Sequence, residues 1–368
     1  MMKNMKALVI FMLGAMLGFG VAVTAYKLHI NRTNFAQKFA QKALHLKDHM
    51  AFALDRAFSS SKVRAARAEH VVAPADYFPS GSVWTQDISH APLDPQSSSI
   101  IAWLAEAGGW GNNNKMHIDF GMRVLQADAT TPQVPFRKGS GWLVPDSDNI
   151  TTIPLPAGSG MESCKGDCQL IVVDRSHSKL YETFSTRVAE NAVIAPFAAV
   201  WDLNRVYPPS GRGEQCTSAD SAGFPIAPLL FNADEIATGS INHAIRFILP
   251  NQRMRAHVYV HPATHAGAPR GPVPAPPIGA RFRLKASYDV SQMMPEAQVV
   301  ARAMQKYGML LSDGGEIALT AQSDADTKAK YADLDFDSHS LYGLKVTDFE
   351  VVDMGTPIHL TYNCVRNP

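Results

Sequence analysis

Residues 215–265 read QCTSADSAGFPIAPLLFNADEIATGSINHAIRFILPNQRMRAHVYVHPATH. They hold Cys216, an acidic turn with Thr217, Ser218, Asp220 and Gly223, and an acidic loop with Asp234 and Glu235. Two runs of strand composition follow, 243–249 and 257–261, with His243, His261 and His265 at or just beyond their ends. Runs this short, bounded by Gly, Pro and Asn, predict strands rather than helices. Titratable residues set between such runs predict a site carried on a rigid sheet.

Outward from this stretch the same pattern repeats, at 116–120, 169–174, 179–184, 195–203, 282–288, 309–311, 316–321 and 346–352. One convincing helix is predicted over 295–307: a proline opens it, Val299, Val300, Ala303 and Met304 form its apolar face, and Gly308 ends it. A shorter one is expected over 100–107. So few helices among so many strands exclude a parallel array with helical crossovers. The expected fold is mainly β, a jelly-roll-like antiparallel β-sandwich with one flanking helix and an N-terminal hydrophobic segment. The proline-rich stretch 264–280 exceeds a tight turn and is expected to roof a groove.

Three segments follow from composition. Lys3 and Lys6 precede an uncharged, mostly apolar run at 7–25, so residues 1–26 read as a signal peptide or a membrane anchor. Residues 27–72 read as an amphipathic helix and linker, with Phe35, Phe39, Leu46, Met50, Leu54 and Phe58 on one face. Residues 73–368 read as the sandwich domain. The expected location is periplasmic or extracellular, with attachment to the inner membrane if the segment is retained. A formal net charge of +1 gives no electrostatic footprint for nucleic acid.

Four cysteines in an exported chain read first as disulfides. Of the three possible connectivities, Cys164 with Cys168 and Cys216 with Cys364 is favoured, since zinc sites more often use CxxC pairs. Neither a metal site nor a cofactor is predicted. The His261/His265 spacing is weak evidence for a metal because Pro262 makes the segment a strand running into a loop.

The candidate catalytic residues are His117, Asp119, Asp220, His243 and His265, expected to converge on one cleft because each follows or interrupts an apolar strand run. Asp174, Arg175, Tyr181, Glu182 and Arg246 are the candidate substrate-binding residues. Alternation along a strand puts His117 and Asp119 on one face, and Tyr181 and Glu182 on opposite faces.

The segments DRSHSKLYE, CTSADSAGFPIAPLLF, HAIRFILP, HPATH, PPIGARFRLKASYD and KYGMLLSDGG together resemble a group of exported bacterial proteins usually left as hypothetical, over roughly residues 116–352. That resemblance supports export and the extent of the domain and transfers no activity. The leading expectation is an extracytoplasmic carbohydrate-active protein acting on polysaccharide or cell-envelope glycan. A hydrolase would use two of Asp119, Asp174, Glu182, Asp220, Glu235 and Asp313. A lyase would use a His117, His243 or Tyr181 base, with Arg246 or Arg175 neutralising a uronate. The alternatives are a non-catalytic glycan-binding protein stacking sugars on Trp142, Trp201, Tyr207 and Tyr259, and an envelope scaffold.

Overall fold

The computed structural model describes residues 76–140, 146–158, 167–189 and 191–367. The expected hydrophobic segment, the amphipathic helix with its linker, and Cys164 lie outside the described residues. The first strands are β1 (Ile118–Met122), β2 (Val124–Ala127), β3 (Gln133–Lys138), β4 (Thr152–Pro154), β5 (Leu170–Asp174), β6 (Lys179–Phe184), β7 (Arg187–Ala189), β8 (Ala192–Ala195) and β9 (Phe197–Asp202). The later ones are β10 (Gly213–Glu214), β11 (Ile245–Leu249), β12 (Val258–Tyr259), β13 (Arg281–Leu284), β14 (Met309–Gly314), β15 (Leu319–Gln322), β16 (Phe349–Val351), β17 (Ile358–His359) and β18 (Val365–Arg366). Helices are few and short: α1 (Ser97–Glu106), α2 (Ala233–Thr238) and α3 (Pro295–Lys306) are the regular ones. The protein is mainly β.

The sheets form layers around two cores. A six-stranded sheet runs β1-β15-β11-β14-β13-β16, and two four-stranded sheets run β2-β5-β6-β9 and β4-β3-β8-β7. β5 reads Leu-Ile-Val-Val-Asp and is buried throughout, and strand alternation explains why such a run is needed. Ile171 and Val173 face the large core, with Leu180, Phe197 and Trp201 from the same sheet and Phe247, Phe282 and Leu319 from the six-stranded one. Leu170 and Val172 face the small core, which Phe136, Ile153 and Val193 close from the other four-stranded sheet. α3 packs on β13, with Val300 and Met304 fully buried, and Gly308 takes the left-handed φ of 71° that ends it.

Two expectations change. Pairing is not purely antiparallel: β1 with β15, β11 with β14, β2 with β5 and β3 with β8 run parallel. Parallel neighbours need long connections. β2 reaches β5 only after the chain has laid down β3 and β4, and β11 reaches β14 only after β12, β13 and α3. The expected acidic loop at Asp234 and Glu235 is helix α2. Asn232 caps it by accepting from Glu235 N–H at 3.0 Å while Glu235 accepts from Asn232 N–H at 3.1 Å. Among the described residues no helix is long and apolar enough to cross a membrane.

Candidate functional site

The acidic turn, the start of the proline-rich stretch and the end of β14 meet around a cavity of about 180 Å³ whose lining includes Asp167, Asp220, Ser221, Asn251, His265 and Asp313. The turn is stitched to the loop before any chemistry is added. Thr264 Oγ1 donates to the Cys216 carbonyl at 2.7 Å, Thr264 N–H to Ala222 O at 2.9 Å, and Gly267 N–H to Ser221 Oγ at 2.7 Å. Gly223 makes this possible: its φ is +80°, and a Cβ there would lie 2.2 Å from Thr264 Oγ1 and 2.7 Å from Cys216 O. The disulfide Cys216–Cys364 ties the turn to the C-terminal segment, as expected. Cys168 is also disulfide-bonded.

Behind the cavity wall, Arg246 projects from β11 and is almost fully buried. Its Nε donates to Asp220 Oδ2 at 2.6 Å, one terminal nitrogen to Thr320 Oγ1 on β15 at 2.9 Å, and the other to Asp313 Oδ2 at 3.2 Å. Asp220 is sealed, its second oxygen accepting from Ala222 N–H at 2.9 Å. The Asp313 side chain is 27% exposed and lines the cavity. One guanidinium thus faces two carboxylates. Burial and the nearby Asp220 charge outweigh Arg246 and push Asp313 up to about 7. The physical outcome is a carboxyl that still carries its proton part of the time near neutrality, open to the cavity.

His265 supplies a different group. Its Nδ1 is 3.0 Å from the Ser221 carbonyl; a carbonyl only accepts, so Nδ1 carries the hydrogen and Nε2 is the bare nitrogen. Burial holds its pKa below the usual histidine value, which keeps the ring neutral. Among the described residues Nε2 has no hydrogen-bond partner.

The expected convergence of five catalytic residues is corrected to two, Asp220 and His265. His117 belongs to a separate surface cluster, with Nδ1 2.8 Å from Tyr342 Oη and its ring beside His339. Asp119 accepts from Gly121 N–H at 2.9 Å and serves the bend of β1. His243 is fully buried, its Nε2 3.2 Å from Glu235 of the α2 capping box. Burial opposes its charge, yet Glu235 prevails and its pKa is raised.

The five substrate-binding candidates do not line the cavity either. Asp174 organises the β5–β6 turn, accepting from Ser176 Oγ and His177 N–H, with His177 Nδ1 2.8 Å away. Arg175 lies over the Tyr77 ring at 5.1 Å, and Tyr181 packs on the small core. Glu182 is fully buried and accepts from Ile226 N–H, Ala227 N–H and Trp201 Nε1 at 2.7, 3.0 and 3.0 Å. Burial pushes it up to about 7. Arg246 holds the two aspartates from behind. Asp167 and Asn251 went unpredicted: Asp167 reads only as part of the small loop between Cys164 and Cys168, and Asn251 is an uncharged residue in the turn just after β11, so neither stands out in the sequence. Among the described residues no cluster of His, Cys, Asp and Glu is arranged to hold a metal ion.

Comparison with protein-family models, with curated proteins and with solved structures finds no match for this chain.

Proposed function

We propose that the domain hydrolyses glycosidic bonds in a polysaccharide of the cell envelope, beyond the cytoplasmic membrane. The observation that carries this reading is Asp313, a cavity-facing carboxyl pushed up to about 7, with a second carboxylate, Asp167, in the same wall. Asp313 donates its proton to the glycosidic oxygen as the bond to the anomeric carbon breaks. Asp167 takes a proton from the water whose oxygen bonds to that carbon. His265 accepts a hydrogen bond from a sugar hydroxyl at Nε2, and Asp220 and Asp313, both raised by burial and facing one guanidinium, share a proton that Asp313 presents to the cavity.

The lyase alternative has less support, because Arg246 is spent on Asp220, Asp313 and Thr320 and Arg175 lies over the Tyr77 ring, away from the cavity lining. The glycan-binding alternative loses three of its expected platforms, since Trp201 and Tyr259 are fully buried and Tyr207 packs against Trp201 and Phe78; Trp142 lies outside the described residues. Turnover of a panel of cello-, chito- and peptidoglycan-derived oligosaccharides tests the reading. Reducing-end release by the wild type and its loss in Asp167→Asn is expected; no release from any of them would overturn it.

A further inference from the structure

We propose that Tyr362 is the sugar-stacking platform of this site, a pyranose-binding surface at the margin of the cavity presented by the disulfide-tethered C-terminal segment. The inference rests on the hydrolase reading above and adds to it the residue that holds the sugar ring.

Tyr362 is 57% exposed, although it is a large aromatic side chain. Its ring stands edge-on to His265, with centroids 5.5 Å apart and planes at 68°, so one edge touches the cavity wall while the rest stays open. Among the described residues its hydroxyl makes no hydrogen bond. Neither burial nor a polar contact accounts for an aromatic residue at this point. An open aromatic face beside a polar cavity suits the apolar C–H face of a pyranose, whose hydroxyls would then reach the polar wall.

The backbone points the same way. Tyr362 has φ of 62°, a left-handed conformation that is an outlier for a bulky side chain. The other described non-glycine residues with positive φ are Asn, Asp, Ser, Cys, Gln and His, smaller or more polar than tyrosine. A strained tyrosine persists when its surroundings over-determine it, and such residues cluster at ligand sites. Here the constraints are explicit. β17 pairs with β12 before Tyr362 and β18 pairs with β10 after it. Thr361 N–H donates to Gln215 Oε1 at 2.7 Å, and Cys364 is bonded to Cys216. The segment therefore fixes the backbone that carries the ring beside His265, at the margin of the cavity, rather than leaving it to a free tail.

The test compares Tyr362→Ala, Tyr362→Trp and Tyr362→Gly in the full-length protein, with KM and kcat on the oligosaccharide panel, affinity for the same sugars in an Asp313→Asn background, and melting temperature. Alanine and glycine are expected to raise KM and weaken binding about tenfold, the usual scale of one aromatic contact. Tryptophan is expected to keep or improve both. Glycine accommodates the positive φ, so its melting temperature should hold or rise while affinity falls, which a structural tyrosine would not show. Turnover with unchanged KM and affinity in both the alanine and glycine variants would overturn the role of Tyr362 alone. Absence of turnover and of binding in the wild type would overturn the hydrolase reading itself.

Discussion

Arg246 Nε donates to Asp220 Oδ2 at 2.6 Å, with the two side chains only 3% and 0% exposed. An ion pair this dry is weak evidence for stability as a whole, but removing one partner strands the other without water. Arg246→Ala should therefore cost about 3–5 kcal/mol. Urea denaturation measures it. An unchanged midpoint would mean that Asp220 is already neutral and that Arg246 does not organise the wall.

Glu182 makes stability depend on pH. Its ordinary value of 4.5 is pushed up to about 7 by burial, so between these values the folded state binds more protons than the unfolded state. Stability from this group is complete below about 4.5 and is lost as pH rises through about 7. Asp313, raised in the same way, adds to the same slope. Glu182→Gln should flatten the decline in denaturation midpoint across that window while leaving Asp313's part. An equally steep decline in the variant would contradict the assignment.

His243 and Glu235 are expected to matter for folding alone. The histidine is fully buried, its Nδ1 2.7 Å from the Ala244 carbonyl and its Nε2 facing the capping-box acid. His243→Ala leaves polar groups unpartnered and should cost about 1–3 kcal/mol, without lowering kcat per folded molecule. A loss of turnover at full stability would place His243 in the site after all.

Gly223→Ala should disturb site and fold together, because a Cβ would collide with Thr264 Oγ1 and the Cys216 carbonyl at a φ that already disfavours alanine. A lowered melting temperature with loss of turnover is expected. Unchanged values would show that the turn and loop are not rigidly joined.

Strands and the long helix were legible in the sequence because period and composition report burial directly. The run at 179–184 became β6 over the same residues, and Pro295 and Gly308 bracket α3 as their backbone preferences require. Strand direction was not legible, since a buried run has the same pattern whether its neighbour is parallel or antiparallel. The capping box of α2 was present as Asn232-x-x-Glu235 but was too short for a periodic signal. For the site, rank by titratable character succeeded only where the loop geometry agreed. His265 reaches the cavity and Asp220 backs its wall because Thr264 and Gly223 lock their segments together, whereas His117, Asp119 and Asp174 spend their polar atoms on local turns and neighbours. Those partnerships depend on contacts that spacing along the chain does not encode.

The most direct test of the account is the pH profile of kcat/KM beside the turnover of Asp313→Asn. A general acid must be protonated, and Asp313 is pushed up to about 7, so kcat/KM should fall as pH rises through that value. The asparagine variant should lose about 10² to 10⁴ of the rate at its optimum while remaining folded. A wild type whose activity stays flat across neutral pH, with an asparagine variant that turns over normally, would contradict the account.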